Sequence, residues 1–195
     1  RVLKNNNLSH IVPFDHPEID NWRNSLNRGL MLRYKETGII LTGGVDDIWQ
    51  DTLTKQLIIV DYKSQAKNGR FDKIEYLEDP YHDSYKIQMD FYVYLLAGLG
   101  FDVHPKSYFL VCNARRDKNE FGGKIHFDEY LVPYRWKNDW IESRLDEMVS
   151  VMNNYEIPKQ NESCKNCAYA DQYSKIIYSE NPTKKEINQG TLPLF

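Results

Sequence analysis

Asp61 and Lys63 stand two residues apart at the end of the apolar run Leu57-Ile58-Ile59-Val60, the first place in this 195-residue chain where chemistry suggests itself. Alternate residues of a strand share a face, so Asp61 and Lys63 project together with Tyr62 opposite. Charges at the end of a buried strand are costly unless they pair or bind an ion. Upstream, Gly43-Gly44-Val45-Asp46-Asp47 closes another strand-like run, Ile39–Val45. If the two strands are neighbours, Asp46 and Asp61 converge beside Lys63. Two carboxylates and a backbone carbonyl suit Mg2+ or Mn2+, which take oxygen ligands and keep waters. Such an ion would acidify a water and offset charge on a phosphate, with Lys63 orienting that water or stabilising the same charge.

Taken alone, Asp-x-Lys reads more often as a solvated surface pair. A third element lies farther on. Gln88 and Tyr92 are four apart on a helical pattern and therefore share a face. Gln88 is placed to hydrogen-bond the lysine or a nucleic-acid group, and Tyr92 to fix the helix against the sheet. By itself this spacing belongs to any amphipathic helix.

In order, Gly43-x-x-Asp46, Asp61-x-Lys63 and Gln88-x-x-x-Tyr92 resemble the signature of the RecB-like branch of the PD-(D/E)XK nuclease superfamily, in detail over Leu30–Leu99. The resemblance implies an α/β fold with a restriction-endonuclease-like core, a mixed central sheet flanked by helices. It implies Mg2+- or Mn2+-dependent hydrolysis of DNA phosphodiester bonds, in repair, recombination or defence. Asp46, Asp61 and the carbonyl of Tyr62 would be the metal ligands, Lys63 the catalytic lysine, and Gln88 with Tyr92 the supporting helix pair. Asp47 rivals Asp46, but Asp46 sits at the family spacing from Gly43. The alternative from another class is a non-catalytic DNA-binding or sliding-clamp-associated module that retains the fold. Intact Asp46, Asp61 and Lys63 argue against it.

Two features depart from the family. Related enzymes carry an upstream acidic residue or histidine as a further ligand, and here only His10, His16 and Glu18 are near, in no convincing motif. The first residue is Arg1 rather than Met, which leaves open a processed start or an earlier segment. Several RecB-like nucleases hold an iron–sulfur cluster between an N-terminal cysteine and a C-terminal group of three. This chain has Cys164 and Cys167, with Tyr173 about where another cysteine would fall. Two thiolates do not fill a four-coordinate site, so the pair is a possible degenerate cluster, and no complete cluster is expected in this chain alone. Cys112 reads as a packed core thiol. A small zinc-binding interaction domain would account for Cys164 and Cys167 and nothing else.

Positioning these residues requires a set of elements. A helix is expected over Pro17–Arg28, with Ile19, Trp22 and Leu26 on one face. Strands are expected over Leu30–Lys35 and Ile39–Val45, joined by a turn, and Leu57–Val60 reads as a strand buried on both faces. Gln65–Tyr81 reads as loop. A helix over Ser84–Leu99 would turn Ile87, Phe91, Tyr94 and Leu95 inward. Tyr108–Asn113, Lys124–Asp128 and Tyr130–Tyr134 read as strands, and Asp139–Met152 as a helix carrying Ile141, Leu145, Met148 and Met152. The expected domains are a nuclease core over 1–157, a cysteine-bearing segment over 158–180 and a flexible tail over 181–195.

Composition is that of an ordinary globular protein, with 41% hydrophobic and 27% charged residues. Net charge is −3, so there is no global basic field and nucleic acid would have to meet a local groove. No apolar run approaches the ~20 residues of a membrane span and no signal-peptide pattern occurs, so the expected location is cytoplasmic. The chain ends Gln189-Gly190-Thr191-Leu192-Pro193-Leu194-Phe195. Exposed Leu and Phe on a polar tail read as anchors for a partner's pocket. Gln189, Leu192, Leu194 and Phe195 are similar to the motifs that bind the bacterial sliding clamp, departing at Gly190. A terminus folded back on its own domain is the other reading.

Overall fold

The computed structural model describes residues 2–117, 122–156 and 158–180. The strands are β1 (Ile11–Pro13), β2 (Leu30–Arg33), β3 (Ile40–Gly43), β4 (Asp47–Asp51), β5 (Leu57–Gln65), β6 (Ser107–Ala114) and β7 (Phe127–Tyr134). The helices are α1 (Val2–Asn5), α2 (Ile19–Arg23), α3 (Lys73–Glu78), α4 (Asp83–Gly98), α5 (Ile141–Met152) and α6 (Lys165–Glu180), with a 3-10 turn at Pro80–His82. Two compact units divide the chain, Arg1–Glu147 and Met148–Phe195, and α6 lies in the second. No helix among the described residues is long and apolar enough to cross a membrane.

The first unit is built on a five-stranded sheet of order β1-β4-β5-β6-β7. Only β5 and β6 run parallel; the other neighbours are antiparallel. A parallel pair needs a long crossover, and α3, the 3-10 turn and α4 supply it. The result is the restriction-endonuclease-like arrangement, a curled mixed sheet flanked by helices. Leu57, Ile58, Ile59 and Val60 are all buried, as a central strand covered on both faces requires. Ile58 and Val60 pack with Ile11, Trp49, Tyr108 and Leu131, and Val2 and Leu3 of α1 close that face. On the other side α4 contacts β5 and the separate β2–β3 hairpin. Its Met89, Val93, Leu95 and Leu96 are fully buried. Truncating Leu96 to Ala would cost ~2–5 kcal/mol by the usual cavity penalty.

Several expected elements differ. The neighbour of β5 is not the run 39–45 but β4, a strand absent from the sequence reading. Its sequence Asp-Ile-Trp-Gln-Asp opens and closes on carboxylates, which mask an apolar pattern, yet both Asp47 and Asp51 are buried and hydrogen-bonded. The expected loop 65–81 contains α3, capped by Asp72, whose side chain accepts from Ile74 and Glu75 amides. In α4 Leu95 is buried as expected, but Met89, Tyr92, Val93 and Leu96 complete the inner face while Ile87 is exposed and Phe91 and Tyr94 are half-buried; Asp90 is buried with them among three donors. β7 is one strand, not two, with Pro133 tolerated on the sheet edge. Helix α2 is shorter than expected and leaves Leu26 exposed. Helix α5 starts at Ile141, its one buried residue, and Met148 and Met152 are exposed. The polar segment after Pro158 contains α6.

Candidate active site

Strand β5 pairs with β4 so that Val60 faces Asp47. One step further along that antiparallel register sets Asp46 opposite Asp61. The approach is fixed by a hydrogen bond: the Tyr62 amide donates to Asp46 Oδ2 at 2.6 Å. Alternation along β5 then separates the side chains. Asp61 and Lys63 turn toward α4, and Tyr62 turns away, its hydroxyl donating to Asp47 Oδ2 at 2.6 Å.

The two adjacent aspartates have different surroundings. Asp47 is buried and accepts from the Arg23 guanidinium, the Ile48 amide at 2.9 Å, the Trp49 indole at 3.0 Å and the Tyr62 hydroxyl. Four donors occupy most of the lone pairs of a carboxylate. Asp46 accepts from the Tyr62 amide and otherwise faces Asp61. Of the two, Asp46 has capacity left for a further partner, and Asp47 is committed to holding β4, β5 and α2 together.

Lys63 is held on three sides. Its Nζ lies 2.5 Å from Asp61 Oδ2, donates to Gln88 Oε1 at 3.0 Å and sits 4.4 Å from the centre of the Tyr85 ring. Gln88 Nε2 in turn donates to the Tyr92 hydroxyl at 2.6 Å. Residues 85, 88 and 92 lie at helical spacing on α4, so one helix face supplies the whole bracket around the ammonium. Tyr92 is anchored from behind by Gly43: a Cβ there would meet its ring at 2.8 Å. Only a residue without a side chain lets the end of β3 approach that closely.

Asp61 is 2% exposed. Burial raises its pKa, Lys63 opposes the rise, and the neighbouring Asp46 carboxylate adds to it. Lys63 Nζ holds Asp61 Oδ2 as a close ion pair, and no other donor reaches that buried oxygen. A carboxylate whose partner is a single ammonium keeps lone pairs free for a further ligand. Asp61 and Asp46 are the residues that could hold a cation here, and with the backbone carbonyl of Tyr62 they would offer it oxygen donors only, as suits a hard divalent ion that retains most of its waters.

The upstream candidates do not join this set. His16 is stacked on Trp22 at 4.4 Å and its Nδ1 accepts from the Glu18 amide at 3.1 Å. The Glu18 carboxylate accepts from Asn21 at 2.7 Å, and His10 Nε2 lies 3.8 Å from Asp51 Oδ2. Among the described residues no group of three His, Cys, Asp or Glu gathers as a metal cage. Cys112 is half-buried in β6. In the second unit the Cys167 amide donates to Cys164 Sγ at 3.4 Å, and both thiols are free. Gln189, Leu192, Leu194 and Phe195 lie outside the described residues. Tyr85 and Arg23 escaped the sequence reading. Tyr85 was detectable, since it precedes Gln88 by three on the same helical face. Arg23 pairs across 24 positions, which no local pattern reveals.

A sequence model of the PD-(D/E)XK nuclease superfamily matches residues 10–172. The chain belongs to the PD-(D/E)XK nuclease superfamily. Its members are generally nuclease hydrolases, so nucleic acid is the substrate class that membership implies. No curated protein and no solved structure matches the chain. The matched span of this PD-(D/E)XK protein covers every element from β1 through β7 and extends past Cys164 and Cys167.

Proposed function

We propose that the chain is a divalent-metal-dependent deoxyribonuclease of the RecB-like branch, acting in the cytoplasm in repair, recombination or defence. The observation that carries this reading is the buried Asp61 carboxylate, ion-paired with Lys63 and set beside Asp46. Asp46, Asp61 and the Tyr62 carbonyl would hold Mg2+ or Mn2+. When bound, the ion supplies positive charge at the scissile phosphate and an acidified water. Lys63, oriented by Gln88 and the Tyr85 face, presents its ammonium where negative charge builds on the phosphate. A preoriented donor of this kind acts without reorganisation during the reaction. Gln88 is itself fixed by Tyr92, so the pair positions the lysine and does not touch the substrate. The order Gly43, Asp46, Asp61, Lys63, Gln88, Tyr92 supports the RecB-like branch. Cys164 and Cys167 are read as a degenerate cluster remnant. Gln189, Leu192, Leu194 and Phe195 support a sliding clamp as a second partner.

The test is cleavage of labelled single-stranded and duplex DNA with Mg2+, with Mn2+ and in EDTA, for the native protein and Lys63→Ala. Metal-dependent cleavage that disappears in Lys63→Ala is expected. Native protein that cuts neither DNA in either metal would favour the non-catalytic DNA-binding module.

A further inference from the structure

Beyond Lys63, β5 continues to Gln65, which alternation places on the same face as Asp61 and Lys63. Gln65 lines a cavity of about 230 Å³, between the ends of β5 and β6, the following loop and α3. The loop is braced against β6: the Lys67 amide donates to Asn113 Oδ1 at 2.9 Å, and Asn113 Nδ2 donates back to the Lys67 carbonyl at 3.1 Å. This cavity is therefore built on the strand that carries Asp61 and Lys63, with its loop tied to β6 by two hydrogen bonds.

Two aromatic residues, Phe71 and Tyr76, stand in its wall, and a chain of ring contacts links them to the lysine. Tyr85, whose ring lies under Lys63 Nζ, stacks on His82 at 5.2 Å. His82 packs on Tyr76 at 4.1 Å, Tyr76 on Phe71 at 5.6 Å, and Phe71 stacks on Tyr130 at 4.1 Å with ring planes 7° apart. Tyr76 is 5% exposed, and its buried hydroxyl has no hydrogen-bond partner.

The charges decide what would enter. Lys67 and Arg70 face Asp72, Glu75 and Asp79 in the lining, two cations against three carboxylates. Lys67 is paired with Asp79 at 3.0 Å, and Asp72 caps α3. Such a lining repels a phosphate but accepts a neutral ring with polar edges. Stacked aromatics beside Gln, Asn and carboxylate groups are the means by which proteins hold an unstacked nucleobase.

Resting on the nuclease reading above, we propose that this cavity takes one unstacked base of the substrate strand, next to the phosphate held at Lys63. A base inside a duplex cannot reach it, so the site selects unpaired over paired DNA.

The probe is a short single-stranded oligonucleotide with one 2-aminopurine, whose fluorescence falls on stacking, titrated with Ca2+ in place of Mg2+. Quenching is expected on binding, with the matched duplex bound at least about tenfold more weakly. Phe71→Leu keeps an apolar side chain but removes the ring. It should weaken single-strand binding about tenfold, within the range of one lost stacking contact, with duplex binding unchanged. Tyr76→Phe keeps the ring and should leave single-strand binding unchanged while the melting temperature stays level or rises, so a loss seen in Phe71→Leu reports the missing ring. Equal affinity for single strand and duplex, or undiminished quenching in Phe71→Leu, overturns the proposal. Cleavage of the same oligonucleotide in Mn2+ separates the two readings. Cleavage without quenching leaves the nuclease and removes the base site; quenching without cleavage in either metal does the reverse.

Discussion

Gly43 lies against the ring of Tyr92 so closely that a Cβ at position 43 would sit 2.8 Å from Tyr92 Cε1. The contact joins two parts of the chain that the sequence shows only as separate short patterns. Tyr92 holds Gln88, Gln88 holds Lys63, and Lys63 lies against Asp61. A backbone position on the β2–β3 hairpin thereby sets the place of an ammonium on the main sheet.

Gly43→Ala should therefore act through Tyr92. Overpacking of this kind typically costs ~1–3 kcal/mol, read as a lower urea midpoint. DNA cleavage should fall further than stability does, because Gln88 loses its support. Adding Tyr92→Leu should recover stability by making room but leave activity low. Gly43→Ala with wild-type stability would mean that the ring moves freely and that the close approach has no structural role.

Asp46 and Asp47 are chemically identical neighbours in different surroundings. Asp47→Asn weakens four hydrogen bonds and leaves Arg23 with only the exposed Asp20 at 3.9 Å. Charged hydrogen bonds contribute ~1.5–3 kcal/mol each, so a loss of several kcal/mol in chemical denaturation is expected. Asp46→Asn should keep the fold, since its single donor is the Tyr62 amide, and should abolish metal-dependent cleavage. An unfolded Asp46→Asn beside a folded but inactive Asp47→Asn would exchange the two assignments.

What the sequence made legible follows from the reach of its patterns. Leu57–Val60 and α4 were visible because burial there produces an apolar run or a helical repeat. The three motif pieces were visible because each is local. Strand β4 was not, since its buried aspartates look like surface residues until Arg23, Trp49 and Tyr62 are seen around them. Asp90 hid the true inner face of α4 in the same way. It accepts from Tyr134 at 2.9 Å, the Lys137 amide at 2.9 Å and Trp140 at 3.1 Å, all more than forty residues away. A buried polar residue is recognisable only by partners that the fold brings to it. The convergence of Asp46 and Asp61 was anticipated for the wrong neighbouring strand.

The C-terminal heptapeptide gives a separate test of the proposed clamp partner. Removing everything after Asn188 should abolish binding to the sliding clamp of the source organism in calorimetric titration. A segment this short is expected to bind at micromolar affinity, about −8 kcal/mol. Cleavage of naked DNA and the melting temperature should not change. Equal binding by the truncated protein would rule out the clamp motif, and a large drop in melting temperature would show that the tail belongs to the core.

Asp61 couples stability, pH and metal. In the metal-free protein, burial holds its pKa above the ordinary 3.8, against the pull of Lys63. Folding thus favours the protonated carboxyl. The stabilising contribution of this group is complete below about pH 3.8 and is lost as pH rises through the higher folded value. At neutral pH the ionised side chain weakens the fold. Asp61→Asn should then melt at the same or a higher temperature than the native protein in EDTA at pH 7, with the difference shrinking in acid. Lys63 keeps Gln88 Oε1 and the Tyr85 ring in that variant. Metal should reverse the order. Mn2+ at a hundred times its dissociation constant stabilises a single-site protein by ~2.7 kcal/mol, and a chain of this size gains ~2–4 °C per kcal/mol. The native protein should show that shift, and Asp61→Asn should show neither the shift nor cleavage. A variant that melts several degrees lower in EDTA would make the Asp61–Lys63 pair a net support of the fold. A retained Mn2+ shift would place the ion elsewhere.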